Sequence, residues 1–583
     1  MDEVVNGAPD SVADAVAKAH ARYRQERDRR LRSDGVGQYA AASGVLQHYL
    51  DDPYIDAPID RAPVKAEMDV LIIGAGFGGL MLAARLLEAG VGDVRLVEKG
   101  GDVGGTWYWN RYPGISCDVE SYSYLPLLEE TGYVPPRKYA PGSEILDHCR
   151  RIATQFGLPE RTWFQTEVTE LRWQEPLARW QVSTRRGDTF LARFVCMSTG
   201  PLHRPKLPGV PGLETFRGRS FHTSRWDYAY TGGDERGGLH RLADKRVGVV
   251  GTGATGVQCI PHLGEWAKDL YVFQRTPSSI DERIDTPTDA AWAAALMPGW
   301  HRARVHDFTL MTSPEPPVGP DGQPLSGETL TRLRDTLDLQ KMDSLRARID
   351  GIVTDPKTAE RLKPYYKYLC KRPCFSEDYL PTFNRPNVTL VDTEGRGIER
   401  IAEDAVIVGG VAYPVDCLIF ATGFEFGTDY AARCGFETYG RGGVSQTYAW
   451  RDGVSSLFGL HSRGFPNRFI IGNAQQASTT NFTHMLDEMS RHLAGVLKTC
   501  IERGVRTIEP SEGAERDWVG AILNVTRNRA ALDPECTPNY FNHEGDASGR
   551  AIRNGFYGGS PFEFIRILET WRADGRMAGL ELT

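Results

Sequence analysis

Two glycine triads carry the clearest chemistry in this chain. Gly74, Gly76 and Gly79, in GAGFGG, follow the apolar run VLII; Gly251, Gly253 and Gly256, in GTGATG, follow RVGVV. At this spacing the first glycine permits a tight turn and the second lets the backbone approach a pyrophosphate. The third lets the helix pack close to the strand, and the helix N-terminus supplies positive potential to the phosphates. Thr252, Ala254 and Thr255 complete the second loop. The strand that follows each unit ends differently. DVRLVEKG places Glu98 where a carboxylate would accept hydrogen bonds from a ribose, whereas YVFQRTP places Arg275, then Thr276, where a guanidinium suits a 2′-phosphate. The pair predicts FAD at the first loop and NADPH at the second, with hydride passing between them. The ten cysteines include no CxxC pair, which argues against a disulfide reductase.

Two longer patterns narrow the reaction. FRGRSFHTSRWD carries Phe216, Gly218, His222, Trp226 and Asp227, and GGTWYWNRYPGISCD carries Gly104, Gly105, Trp107, Tyr112, Pro113, Gly114 and Asp118. Position for position these resemble the FxGxxxHxxxW[P/D] and [A/G]GxWxxxx[F/Y]P[G/M]xxxD fingerprints of type I flavin Baeyer–Villiger monooxygenases. The resemblance runs from about residue 68 to the C-terminus. It implies conversion of a ketone and O2 into an ester or lactone with FAD and NADPH.

The resemblance also implies roles for individual residues. Thr106, Trp107, Tyr108 and Trp109 would cover the flavin, where an aromatic wall excludes water, and Tyr124 would approach it. Lys371 and Arg372 in LCKRPCF match the family's KR pair. Arg372 is the expected catalytic cation, Asp118 would hold its guanidinium, and Lys371 would join Arg275 at the 2′-phosphate. His222 and Trp226 are expected in a hinge between the nucleotide units rather than in proton transfer. CTPNYFNHEG, residues 536–545, resembles the subgroup acting on large-ring, steroid and terpenoid ketones, including enzymes of the pentalenolactone-pathway type. Asn539 stands there in place of a tryptophan that closes on the nicotinamide in many relatives. AQQASTTNFTHML, with Phe482 and Met485, is expected to border a pocket for a bulky cyclic ketone. The alternative is a flavin monooxygenase that oxidises nitrogen or sulfur, a class with a related histidine fingerprint.

These residues need an α/β scaffold with two Rossmann-like units. We expect an N-terminal extension over 1–66, a first part of the FAD domain over 67–205, an inserted NADPH domain over 206–388 with a helical insertion at about 280–365, and a second part of the FAD domain over 389–583. NVTLVD, DCLIFATGF and RFIIGNA read as the strands that close the split first domain. In the extension, VADAVAKAHARYRQERDRRLR reads as a helix whose Arg22, Arg24, Arg27, Arg29, Arg30 and Arg32 could face an acidic partner; a solvated helix packed along the body is the favoured reading. A net charge of −8 gives no reason to expect nucleic acid. The longest apolar stretch, VLIIGAGFGGLMLAARLL, carries four glycines and Arg85, so no membrane span is expected. No metal site is expected. Cys370 and Cys374 read as reduced thiols, and MDEVVNGAPD lacks a signal pattern, which together suggest a cytoplasmic protein. The oligomeric state stays open.

Overall fold

The computed structural model describes residues 10–313, 317–318, 322–472, 474–526, 533–546 and 548–583. Its first sheet is built on the parallel strands Lys65–Ile73, Val94–Val97, Thr162–Trp163 and Thr189–Met197. An antiparallel meander of Val168–Gln174 and Arg179–Thr184 extends it at one side. Val70, Leu71 and Ile72 are all fully buried. A strand with no polar alternation has both faces covered, as parallel sheets require. The helix Phe77–Glu88 follows the first glycine loop and packs against the long helix Phe482–Glu502.

The second sheet is fully parallel and has five strands in the order Val388–Asp392, Asp269–Gln274, Arg246–Val250, Cys417–Phe420, Arg219–His222. This corrects the division expected from sequence. NVTLVD and DCLIF belong to the second sheet, so that unit extends to about residue 420 rather than 388. Of the three candidate closing strands, only Arg468–Ile470 joins the first sheet, pairing with Thr189–Met197. Buried parallel strands all read as apolar runs, and nothing in the run names its neighbour.

The insertion is helical as expected, with Trp300–Thr312, Gly327–Ile352 and Pro356–Leu362 as its main elements. Arg304 clamps Glu120 with two hydrogen bonds of 2.6 Å and so ties the insertion to the first unit. The extension forms the helix Asp10–Asp28 and then runs across the body, where Tyr39–Ala41 pairs with Lys206–Pro208. Its arginines find partners within the chain: Arg24 binds Glu535, Arg22, Arg29 and Arg30 bind Glu26, and Arg32 binds Asp34.

Among the described residues no helix is long and apolar enough to cross a membrane. The cysteine reading is corrected in one respect. Cys370 forms a disulfide with Cys536, 166 residues away, while Cys374 stays a free buried thiol. A pairing at that separation depends on loops meeting in space and leaves no trace in local spacing.

Candidate active site

The first glycine loop opens onto a long pocket lined by Gly74, Gly76, Glu98, Thr106, Trp107, Trp109 and Tyr124, among others. Two glycine pairs meet there: a Cβ on Gly105, whose φ is +53°, would stand 2.7 Å from the Cα of Gly76. Only glycine permits that approach, which leaves backbone facing the cavity. Glu98 is buried, and its two carboxylate oxygens accept from the Ala75 and Gly100 amides at 2.8 Å each. Burial raises its pKa. Each oxygen keeps a lone pair for a ribose hydroxyl. The backbone-lined floor and the fixed carboxylate fit a flavin dinucleotide.

Trp107 donates its indole N–H to the Tyr124 hydroxyl at 3.1 Å, and the two rings meet edge to face. Tyr108 departs from the expected role. It turns out of the pocket, donates to Asp52 at 2.7 Å and accepts from the Gly101 amide at 2.9 Å. Thr106–Trp109 is a single helical turn, and successive side chains on a helix diverge by about 100°, so four in a row cannot share one face.

At the second loop Gly251 has φ +110°, and a Cβ on Gly256 would lie 2.4 Å from the Gly251 carbonyl. Thr252 donates to the Thr276 carbonyl at 3.0 Å, which fixes the loop to the end of the adjacent strand. Ala254 starts the following helix, which also contains Thr255, and Tyr112 donates to Gln258 of that helix at 2.8 Å. Arg275 lies beside this loop with its side chain 28% exposed. Its guanidinium donates to Gln38 Oε1 at 2.6 Å, to the Tyr39 hydroxyl at 3.3 Å and to Glu544 at 3.1 Å, and Tyr39 in turn donates to Glu544 at 2.9 Å. Arg30 donates to the Arg275 carbonyl and to Thr276 Oγ1. Burial, then the nearby Arg275, pushes Lys371 down to about 8. Cations thus outnumber carboxylates here, as an anionic phosphate would require.

Arg372 and Asp118, 254 residues apart in sequence, meet with Arg372 Nη2 donating to Asp118 Oδ2 at 3.1 Å. Burial opposes the charge on Arg372, but Asp118 holds its pKa above the usual guanidinium range. Asp118 Oδ1 is buried with no hydrogen-bond partner among the described residues. The Arg372 charge acts on Tyr124, which lines the large pocket, on Tyr112 beside the second loop, and on Tyr540.

Next to Arg372, Asn539 caps the turn Tyr540–Asn542 and donates to the Cys370 carbonyl at 2.9 Å. Together with the disulfide it ties the loop 536–545 to the segment carrying Lys371 and Arg372. Phe482 lines the large pocket, whereas Met485 is buried in the core.

His222 is fully buried at the end of an edge strand of the second sheet, where its Nδ1 accepts from the Ser224 amide at 3.2 Å. Burial, then Arg225, pushes it down to about 3, so it is neutral near pH 7. Trp226 is equally buried and donates to Thr231, while its backbone N–H donates to Tyr54. Both hold structure together at the edge of the second unit. Sequence reasoning missed Gln38, Tyr39 and Glu544, whose neighbours in the chain carry no nucleotide motif.

Comparison with known proteins agrees with this geometry. The family model described as pyridine nucleotide-disulphide oxidoreductase matches residues 68–297. Neopentalenolactone D synthase of Streptomyces avermitilis is 50% identical, over 97% of this chain and 99% of its own. Pentalenolactone D synthase of Streptomyces arenae is 51% identical, over 96% of this chain and 98% of its own. Among solved structures, the polycyclic ketone monooxygenase of the fungus Thermothelomyces thermophila superposes with a TM-score of 0.88 at 36% identity, covering 97% of this chain and 99% of that one. The complex of OTEMO with FAD and NADP gives 0.74 at 28% identity, covering 90% of this chain and 100% of that one. A sequence this similar over nearly its whole length belongs to the FAD- and NADPH-dependent Baeyer–Villiger monooxygenases.

Proposed function

We propose that the chain oxidises a bulky cyclic ketone of terpenoid, steroid or macrocyclic type to a lactone or ester, with FAD in the large pocket and NADPH at the second loop. The observation that carries this reading is the Arg372–Asp118 pair, which joins the segment before the strand Cys374–Phe375 to the first unit. FAD, when bound, supplies the electron transfer from NADPH to O2.

The residues of the chain do the rest. Glu98 holds the flavin-side ribose, and Gly74, Gly76 and Gly79 bring backbone to the pyrophosphate. Trp107, Trp109 and Tyr124 exclude water from the reacting centre. Arg275 and Lys371 take the 2′-phosphate. Arg372 presents a fixed cation where negative charge develops on the substrate's carbonyl oxygen, and Asp118 keeps that cation in place. The bulk assigned to the substrate is supported by the names of the relatives, two pentalenolactone-type synthases and a polycyclic ketone monooxygenase.

The test is a panel of cycloalkanones, steroid ketones and sesquiterpenoid ketones incubated with enzyme, FAD and NADPH, read by mass. Gain of one oxygen with ester formation on the bulky members supports the reading. Oxidation confined to amines or sulfides contradicts it.

A further inference from the structure

Away from the nucleotide loops, two buried arginines share a region in which neither is paired with a carboxylate. Arg433 lies on the short helix Tyr430–Cys434 and is 8% exposed; Arg468 opens the strand Arg468–Ile470 and is 1% exposed. The Arg433 side chain makes no hydrogen bond or ion pair among the described residues. Its guanidinium lies 5.3 Å from the Tyr430 ring centre, and its Nε is buried without a partner. Arg468 stacks over Phe465 at 4.4 Å and donates through Nη1 to Gln446 Oε1, while its Nε and Nη2 are buried without partners. The Gln446 side-chain amide nitrogen and the Thr428 hydroxyl are unpartnered as well.

Five unpartnered buried polar atoms thus gather in one place, all of them able to donate. Those on Thr428, Arg433 and Gln446 belong to residues that line a small pocket together with Phe426, Trp450 and His543, and Arg468 stands behind Gln446, to which it is hydrogen-bonded. The carboxylate in that wall, Asp429, is turned to Arg550. Burial lowers the pKa of both guanidinium groups, that of Arg468 to about 10, yet each remains cationic at neutral pH.

A buried cation without a counter-charge is costly, and unpaired buried donors are rare in folded proteins. What complements this set is an acceptor-only group of negative charge. The geometry points to a binding site for a small oxyanion, phosphate or carboxylate, held by Arg433 with Gln446 and Thr428, with the charge of Arg468 behind them. The site is separate from the nucleotide loops, though it stands behind the wall of the large pocket: Cys434, next to Arg433, lines that pocket.

To test it, enzyme carrying FAD and saturated with NADP+ is titrated with inorganic phosphate, acetate and benzoate against chloride at equal ionic strength, by calorimetry. One-to-one saturable binding of phosphate alone assigns the site to phosphate groups; binding of acetate or benzoate alone assigns it to carboxylates. Arg433→Met should weaken that binding at least about tenfold, equivalent to 1.4 kcal/mol. The same variant should melt no lower than the parent in chloride, because it removes an uncompensated buried charge. Heats indistinguishable from chloride for all three anions overturn the proposal, and so does undiminished binding in Arg433→Met. Should that variant not fold, parent crystals soaked in selenate decide: an anomalous peak within hydrogen-bond distance of Arg433 and Gln446 supports the site, and none there overturns it.

Discussion

Replacing Arg275 by alanine should separate the two nicotinamide coenzymes. The guanidinium is 28% exposed and held on three sides by Gln38, Tyr39 and Glu544, so its position is set before any coenzyme arrives. A hydrogen bond to a charged partner contributes about 1.5–3 kcal/mol, and 1.4 kcal/mol is a factor of ten. Lys371 remains as a second cation in the variant, which moderates the loss. A net cost of about 2 kcal/mol, or roughly 30-fold in the KM for NADPH, is therefore expected. NADH lacks the 2′-phosphate, so its KM should change less than about threefold. Glu544, 4% exposed on its side chain, loses its ion pair in the variant but keeps the hydrogen bond from Tyr39. Its charge then stands near the phosphate, so Glu544→Gln in the same background should recover part of the NADPH affinity. The assay is NADPH or NADH consumption in air at varied coenzyme concentration, with O2 as the terminal acceptor. Equal losses for NADPH and NADH would refute the reasoning, because they would place Arg275 in the scaffold rather than at the phosphate.

Further outcomes follow from the same geometry. Lys371 is protonated below about 8, where it favours the phosphate, and loses its charge as pH rises through that value; the preference for NADPH over NADH should fall across that window, and Lys371→Met should flatten the dependence. His222 is neutral across the physiological range, so His222→Gln should lower the unfolding temperature while leaving the shape of the pH–rate profile unchanged; a lost limb of that profile would give His222 a proton-transfer role. Peptide mapping without reductant should recover a cross-linked Cys370–Cys536 peptide, with the other eight cysteines alkylated after denaturation; free thiols at both positions would contradict the loop tether. Tyr108→Phe removes the hydrogen bond to Asp52 and should leave the flavin spectrum unchanged, whereas Trp107→Ala, on the pocket wall, should shift it.

Much of the site was legible because its parts are local. A strand, a glycine loop and a helix lie within one short stretch of chain, and the residue that ends the next strand follows at a fixed interval, so Glu98 and Arg275 could be placed without knowing the fold. Arg372 and Asp118 were legible only through their resemblance to a family pattern, since no spacing rule links residues 254 apart. Long-range packing hid the rest. Gln38 and Tyr39 reach Arg275 from the extension and Glu544 from the other end of the chain, each through a contact more than 230 residues long. The strand Cys417–Phe420 looked like a closing strand of the first sheet because an apolar run carries no record of its partner, and it pairs in the second. Tyr108 was misplaced by reading TWYW as a wall when it is a helical turn.

The central claim is that Arg372 acts on oxygen transfer to the ketone and not on delivery of hydride to the flavin. Stopped-flow measurement of Arg372→Ala tests it most directly, following flavin reduction by NADPH without oxygen and then ester formation from a turned-over ketone in air. Reduction at close to the parent rate with ester formation lowered at least about 100-fold, the effect of removing one preorganised charge donor, is the expected result. Ester formation at the parent rate would contradict the account.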